Sequence, residues 1–149
     1  MTTETPKSGA TPISVAVVDD NRLIGQSVER WIAGDAGFAF LGAYTSTAEA
    51  AAALVGQRPR VLLLDLDMPG SDTLKFLADA FARYADMRVV MLSGRSQSPQ
   101  ISRALDLGAA GYIVKDEGMS AIMAMIRRAA GGQVVLSSTA KGALTYGPA

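Results

Sequence analysis

Short apolar runs alternate with helix-patterned stretches five times between residues 13 and 132, and few folds accommodate that rhythm. ISVAVVDD (residues 13–20) is a β-branched run ending in acids. It is followed by NRLIGQSVERWIAGD, where Leu23, Ile24, Ser27, Val28, Trp31 and Ile32 fall at helical spacing. FAFLGAY (38–44) precedes the Ala-rich TSTAEAAAALVGQ, in which Thr45 or Ser46 with Glu49 offers a capping box. RVLLLDLD (60–67) precedes DTLKFLADAFARY, with Leu74, Leu77 and Phe81 on one side. MRVVMLSG (87–94) precedes SPQISRALDLG, which has Pro99 in its first turn and Gly108 just past its end. AGYIVKDE (110–117) precedes GMSAIMAMIRRAAGG, closed by Gly131 and Gly132. Five βα units predict an α/β fold: a five-stranded parallel sheet, doubly wound, with right-handed crossovers. The strands read as continuous apolar runs, as they must when helices cover both faces.

At 149 residues the chain suits one domain with a sizeable core. Residues 1–12, rich in Thr, Pro, Gly and Ser, read as a disordered leader; residues 13–132 as the domain; residues 133–149 as a tail or the start of a linker. The leader lacks the apolar core of a secretory signal, and no segment reaches the ~20 apolar residues of a membrane span. The expected location is therefore the cytoplasm.

Composition narrows the chemistry. There is no Cys and no His. Disulfides, thiolate or imidazole metal sites, Ser-His triads and a phosphohistidine on this chain are excluded. Lys plus Arg number 14 and Asp plus Glu number 14, so no basic excess is available for nucleic acid. Carboxylates, lysines, hydroxyls and backbone remain. No glycine-rich loop follows the first strand, where VVDDNRLIG offers acids instead, which removes dinucleotide and P-loop readings.

In a parallel sheet, functional groups collect beyond the carboxyl ends of the strands. Here the first strand ends in Asp19 and Asp20, and the third in Asp65 with Asp67 two residues on. The fourth ends in Ser93 and the fifth in Lys115. Any one of these alone reads as a cap or a solvated loop residue. Together they would place several carboxylates, a hydroxyl and an amine at one edge. Carboxylates so close repel unless a cation joins them. Hard oxygen ligands without His or Cys suit Mg²⁺ or Mn²⁺, and Mg²⁺ commonly completes its shell with a phosphate oxygen. A carboxylate can be a phosphoryl acceptor, so the pattern predicts metal-assisted phosphoryl transfer with Asp65 as acceptor.

VAVVDDN, LLLDLDMPG, VVMLSG and AAGYIVKDE, in this order and spacing, resemble the receiver domain of two-component response regulators over residues 13–132. The resemblance implies a flavodoxin-like fold with Asp65 as phosphoacceptor. Asp20 would ligate Mg²⁺, Asp19 would help directly or through water, and the backbone carbonyl of Asp67 would complete the protein ligands. Lys115 would pair with the phosphoryl group. Ser93 would be a switch hydroxyl and Tyr112 the switch aromatic that turns inward with it, while the small Gly94 would keep access to Asp65 open. The last units look most like receivers of LuxR-type regulators, though Asp116 stands after Lys115 where many receivers carry Pro, and no DNA-binding domain follows. The chain is thus expected to be a stand-alone receiver or a fragment of a longer regulator, without direct nucleic-acid or membrane contact.

The implied donor is a phosphohistidine on a histidine kinase or histidine phosphotransfer protein, with small phosphodonors such as acetyl phosphate as substitutes. The implied catalysis is of the domain's own phosphorylation and dephosphorylation rather than turnover of a separate substrate. DLD after a strand also resembles the nucleophile motif of haloacid-dehalogenase phosphatases, although the paired acids then precede the nucleophile. A binding module that does not use phosphorylation is a further alternative. Met119, Ile122, Met123, Met125 and Ile126 spread over more than one face of the last predicted helix. Most of that stripe is expected to be core. Any remainder could serve a homodimer or kinase docking.

Overall fold

A computed structural model describes residues 11–146. The chain runs β1 (Ile13–Val18), α1 (Arg22–Ala33), β2 (Phe38–Tyr44), α2 (Thr47–Gly56), β3 (Val61–Asp65), α3 (Thr73–Arg83), β4 (Arg88–Ser93) and α4 (Ser98–Asp106). It continues through β5 (Gly111–Val114), α5 (Met119–Ala130), β6 (Val135–Leu136) and α6 (Ser138–Tyr146). All strands are parallel, in the order β2-β1-β3-β4-β5-β6. The doubly wound α/β expectation holds, with six strands in place of five. The expected leader lies outside the described residues apart from Thr11 and Pro12.

The strand alternation sorts the core into two layers. Val61, Leu63, Val90, Leu92 and Ile113 face α1 and α5, where Val28, Ile32, Ile122 and Ile126 meet them. Leu62, Leu64, Val89, Met91 and Tyr112 face the other way, towards Leu54 of α2, Leu77 of α3, Ile101 of α4 and Ala140 of α6. β3 is buried along its whole length, so its end at Asp65 is fixed from both faces. The chain order reverses at β1, which has β2 on one side and β3 on the other. The crevice beyond their carboxyl ends is where such sheets bind ligands.

Local signals explain the starts of α1, α2 and α3. The Asn21 side chain accepts from Leu23 N, and Ser46 accepts from Glu49 N, while Glu49 reaches back to Thr45 N at 2.7 Å. Asp72 caps α3 through Lys75 N. Gly108 follows α4 with φ of +107°, the left-handed region that favours glycine. Three large apolar residues placed on inward stripes lie outside instead: Leu23, Trp31 and Phe81 are exposed. On α1 the buried positions are Gly25, Val28 and Ile32; on α3 they are Thr73, Leu77 and Ala80. Phe81 lies over the bare Cα of Gly108, whose missing side chain leaves it room.

Residues 135–146 pack on the domain as β6 and α6. Val135 N donates to Ala110 O and Ser137 N to Tyr112 O, which joins β6 to the edge of β5. Buried Ser137 accepts from Val114 N and caps α6 through Ala140 N. The approach depends on Gly111: a Cβ there would meet Val135 Cγ2 at 2.5 Å and Val135 O at 2.6 Å. Replacing Gly111 with Ala is expected to push β6 away at a cost of about 1–3 kcal/mol. Urea unfolding, with amide exchange of Val135 and Ser137, measures this. Unchanged protection of both amides would show that the strand tolerates the methyl group.

Candidate phosphoryl-acceptor site

The site begins where β1 and β3 run out of apolar residues. Asp19 is buried, and its Oδ1 accepts from Asn21 N at 2.9 Å. Its neighbour Asp20 is exposed. Asp65, the last residue of β3, is 1% exposed, and its Oδ1 accepts from Asp67 N at 3.0 Å. Asp19, Asp20 and Asp65 each present one carboxylate oxygen within 4.8 Å of the others. From the far side of the sheet Lys115, just past β5, places Nζ 3.1 Å from Asp19 Oδ2 and 3.4 Å from Asp65 Oδ1. Its own N–H donates to Ser93 O at 2.8 Å, so the lysine is carried by the β4–β5 ladder.

The charges do not balance. Three carboxylates face one ammonium. Burial pushes the Asp65 carboxyl up to about 6; the Asp19 charge adds to this, and the Asp67 N–H and Lys115 oppose it. Burial also works against the charge on Lys115, but the combined pull of Asp19 and Asp65 outweighs it and holds that ammonium above its ordinary value. Asp19 Oδ2 is buried, is held by the Lys115 ammonium at 3.1 Å and, among the described residues, accepts no further hydrogen bond. An oxygen-rich cluster with a net negative charge fits a hard divalent cation.

The second half of the site lies at the end of β4. Ser93 is buried and its hydroxyl donates to Asp67 Oδ2 at 2.8 Å. Gly94 N approaches the same oxygen at 3.3 Å, and Arg95 Nε lies 3.3 Å from Asp67 Oδ1. Tyr112 is fully buried and its hydroxyl donates to Arg95 O at 3.0 Å. Burial raises the pKa of that hydroxyl. Gly94 is exposed, and a Cβ built on it meets nothing within 4 Å, so a methyl group would fit there.

Asp19, Asp20, Asp65 and Lys115 thus come together as the strand ends suggest. Ser93 and Tyr112 sit at the same edge, with Tyr112 already inside. The Asp67 side chain turns towards Ser93 and Arg95. Two contributors were not read from the sequence. Arg95 is a single cation in a polar loop, and only its position two residues past Ser93 hinted at a role. Thr73 donates from Oγ1 to Leu66 O at 2.9 Å and pins the loop after Asp65, which also turns through Gly70 at φ +82°. Threonine in a first helical turn gives no sequence signal for that.

A parallel α/β sheet with this acid–lysine–hydroxyl edge defines a class of phosphoacceptor domains. The chain belongs to the response regulator receiver domain family, which it matches over residues 15–127. It is 29% identical over 132 residues to the nitrate/nitrite response regulator protein homolog of Haemophilus influenzae, covering 89% of this chain and 64% of that protein. It is 31% identical to the response regulator GacA of Pseudomonas protegens, covering 84% of this chain and 59% of the relative. The chain therefore spans about three fifths of the length of these relatives. Among solved structures, the signal receiver domain of the putative response regulator NarL from Mycobacterium tuberculosis superposes with a TM-score of 0.77 at 27% identity. That match covers 83% of this chain and all of that one. A LuxR-family response regulator from Aurantimonas sp. shares the fold at TM-score 0.83 and 18% identity, over 91% of this chain and 96% of its own. Among the described residues no helix is long and apolar enough to cross a membrane.

Proposed function

We propose that Asp65 accepts one phosphoryl group from a phosphohistidine carried by a histidine kinase or histidine phosphotransfer protein. The observation that carries this reading is the convergence of Asp19, Asp20 and Asp65 with Lys115 at one sheet edge. In the transfer an Asp65 carboxylate oxygen bonds to phosphorus, the P–N bond breaks and the imidazole nitrogen leaves with the electron pair. Asp19, Asp20, Asp65 and the Asp67 carbonyl would hold Mg²⁺, or Mn²⁺ in its place, which supplies positive charge against the phosphoryl oxygens. Lys115 offsets the charge that arrives with the group. Burial keeps bulk water off the acyl phosphate, and slow attack by a single water returns Asp65 and inorganic phosphate.

Ser93 then serves as the hydroxyl that contacts a phosphoryl oxygen, and Tyr112 follows the loop it anchors. The two side chains report site occupancy to the α4–β5 surface by favouring one of two arrangements. The proposed location is the cytoplasm, where such donors act. Direct nucleic-acid contact is not part of the reading, since acids balance bases in this chain. The receiver match sets aside the phosphatase alternative, and stoichiometry tests it independently. With acetyl phosphate and Mg²⁺ the protein should gain about one phosphoryl group per chain and release phosphate only as fast as that group is lost. Continuous rapid hydrolysis of an unrelated phosphomonoester would reinstate the enzyme reading.

The apolar residues Ile122, Met123, Met125 and Ile126 of α5 are buried. A homodimer or kinase contact through this helix would instead use Ser120, Ala124, Arg127 and Arg128, which are exposed. Sedimentation of the phosphorylated protein at varied ionic strength checks the dimer. A contact built on these arginines weakens with salt, whereas one built on methionines does not.

A further inference from the structure

Two hydrogen-bond donors and one cation converge on the Asp67 carboxylate. They are the Ser93 hydroxyl at 2.8 Å, Gly94 N–H at 3.3 Å and Arg95 Nε at 3.3 Å. All three lie at or just past the end of β4. Asp67 itself sits two residues past Asp65 and donates its own N–H to the Asp65 carboxylate. A hydroxyl, a backbone amide and a guanidinium gathered on one anion make a charge-assisted cradle. Ser93 has one hydroxyl hydrogen and Gly94 one amide hydrogen. While these are given to Asp67, neither is free for another anion.

The geometry points to the Asp67 side chain as an internal stand-in for the phosphoryl group, a positioning residue that fills the anion cradle beside Asp65 until a phosphoryl group displaces it. The inference rests on the acceptor role proposed above for Asp65. It has two consequences. Charging of Asp65 is held back, because an incoming phosphoryl group meets a fixed carboxylate and finds its donors engaged. The loop after β4 is also held in its bonded form without phosphate, with the Tyr112 hydroxyl on Arg95 O and the ring buried beneath. Phosphorylation then exchanges one anion for another in this cradle.

The test uses wild type, Asp67→Ala and the closely isosteric Asp67→Asn, each checked by melting temperature for an intact fold. With acetyl phosphate and Mg²⁺, the initial rate of mass gain should rise about tenfold in Asp67→Ala and less in Asp67→Asn, whose amide oxygen can still accept from Ser93. Affinity for beryllofluoride, a phosphoryl mimic, should rise in the same order. Adding Arg95→Gln to Asp67→Ala should remove much of the gain, because the freed guanidinium turns to the new anion. A readout without metal or donor is the Gly94 amide resonance, which should shift and exchange faster in Asp67→Ala. Normal labelling of wild type with no gain in either Asp67 variant, or an unmoved Gly94 amide, would overturn this inference alone. Absence of labelling in wild type and variants alike would overturn the acceptor role and this inference with it.

Discussion

Replacing Asp65 with Asn is expected to reduce phosphoryl uptake from acetyl phosphate to background while making the protein more stable. The loss follows from chemistry. Asn lacks the anionic oxygen that bonds to phosphorus. The gain follows from the charge imbalance. Asp65 is buried among Asp19, Asp20 and Lys115, and above about pH 6 it is ionised at a cost. Asn keeps an acceptor for the Asp67 N–H and leaves Lys115 paired with Asp19. Metal-free Asp65→Asn should therefore be more stable than wild type by about 1–3 kcal/mol at neutral pH. Intact mass and thermal melting on the same samples check both halves. A variant that loses labelling and also loses stability would show that the Asp65 carboxylate contributes more by its contacts than it costs by its charge.

The metal-free wild type should lose stability as pH rises from about 4 to about 6 through this group. An unfolded aspartate releases its proton near its ordinary value of 3.8, whereas folded Asp65 holds its proton until about 6. Between these values the folded state binds the extra proton, so raising the pH favours unfolding. Above about 6 the full cost remains. A divalent cation that binds only the folded, ionised cluster reverses the sign, since it stabilises by mass action. Millimolar Mg²⁺ should thus raise the melting temperature clearly at about pH 8 and little at about pH 5, where protons compete for the same oxygens. Asp65→Asn should flatten the metal-free pH dependence. Equal Mg²⁺ shifts at both pH values, or none at either, would mean that the cluster does not share a cation.

The parts legible in the sequence are those where pattern and burial agree. β3 reads as VLLLD and is buried on both faces, so its closing acid had only one place to go. The same logic located Asp19 and Lys115, because parallel strands bring their carboxyl ends to one edge. Helix stripes were less secure. Leu23, Trp31 and Phe81 fit an apolar spacing, yet the sheet needs a narrow face, and small residues such as Gly25, Thr73 and Ala80 fill it. The β6–α6 unit was hidden because a two-residue strand has no periodicity, and α6 carries Gly142 and few apolar residues. Its docking depends on the missing side chain of Gly111 and the buried hydroxyl of Ser137, neither of which is an apolar signal. The Asp67–Arg95 pair could not be read because it depends on how two loops fold towards one another.

β6 also limits what this sheet offers to other chains at one rim. An unpaired strand margin is a template for aggregation, and a very short one is a poor template. On one side the last strand is only Val135–Leu136, with α6 following directly, so few free amides and carbonyls are left for a stranger to copy. Among the described residues the opposite margin is the seven-residue β2, and unwanted strand addition should start there.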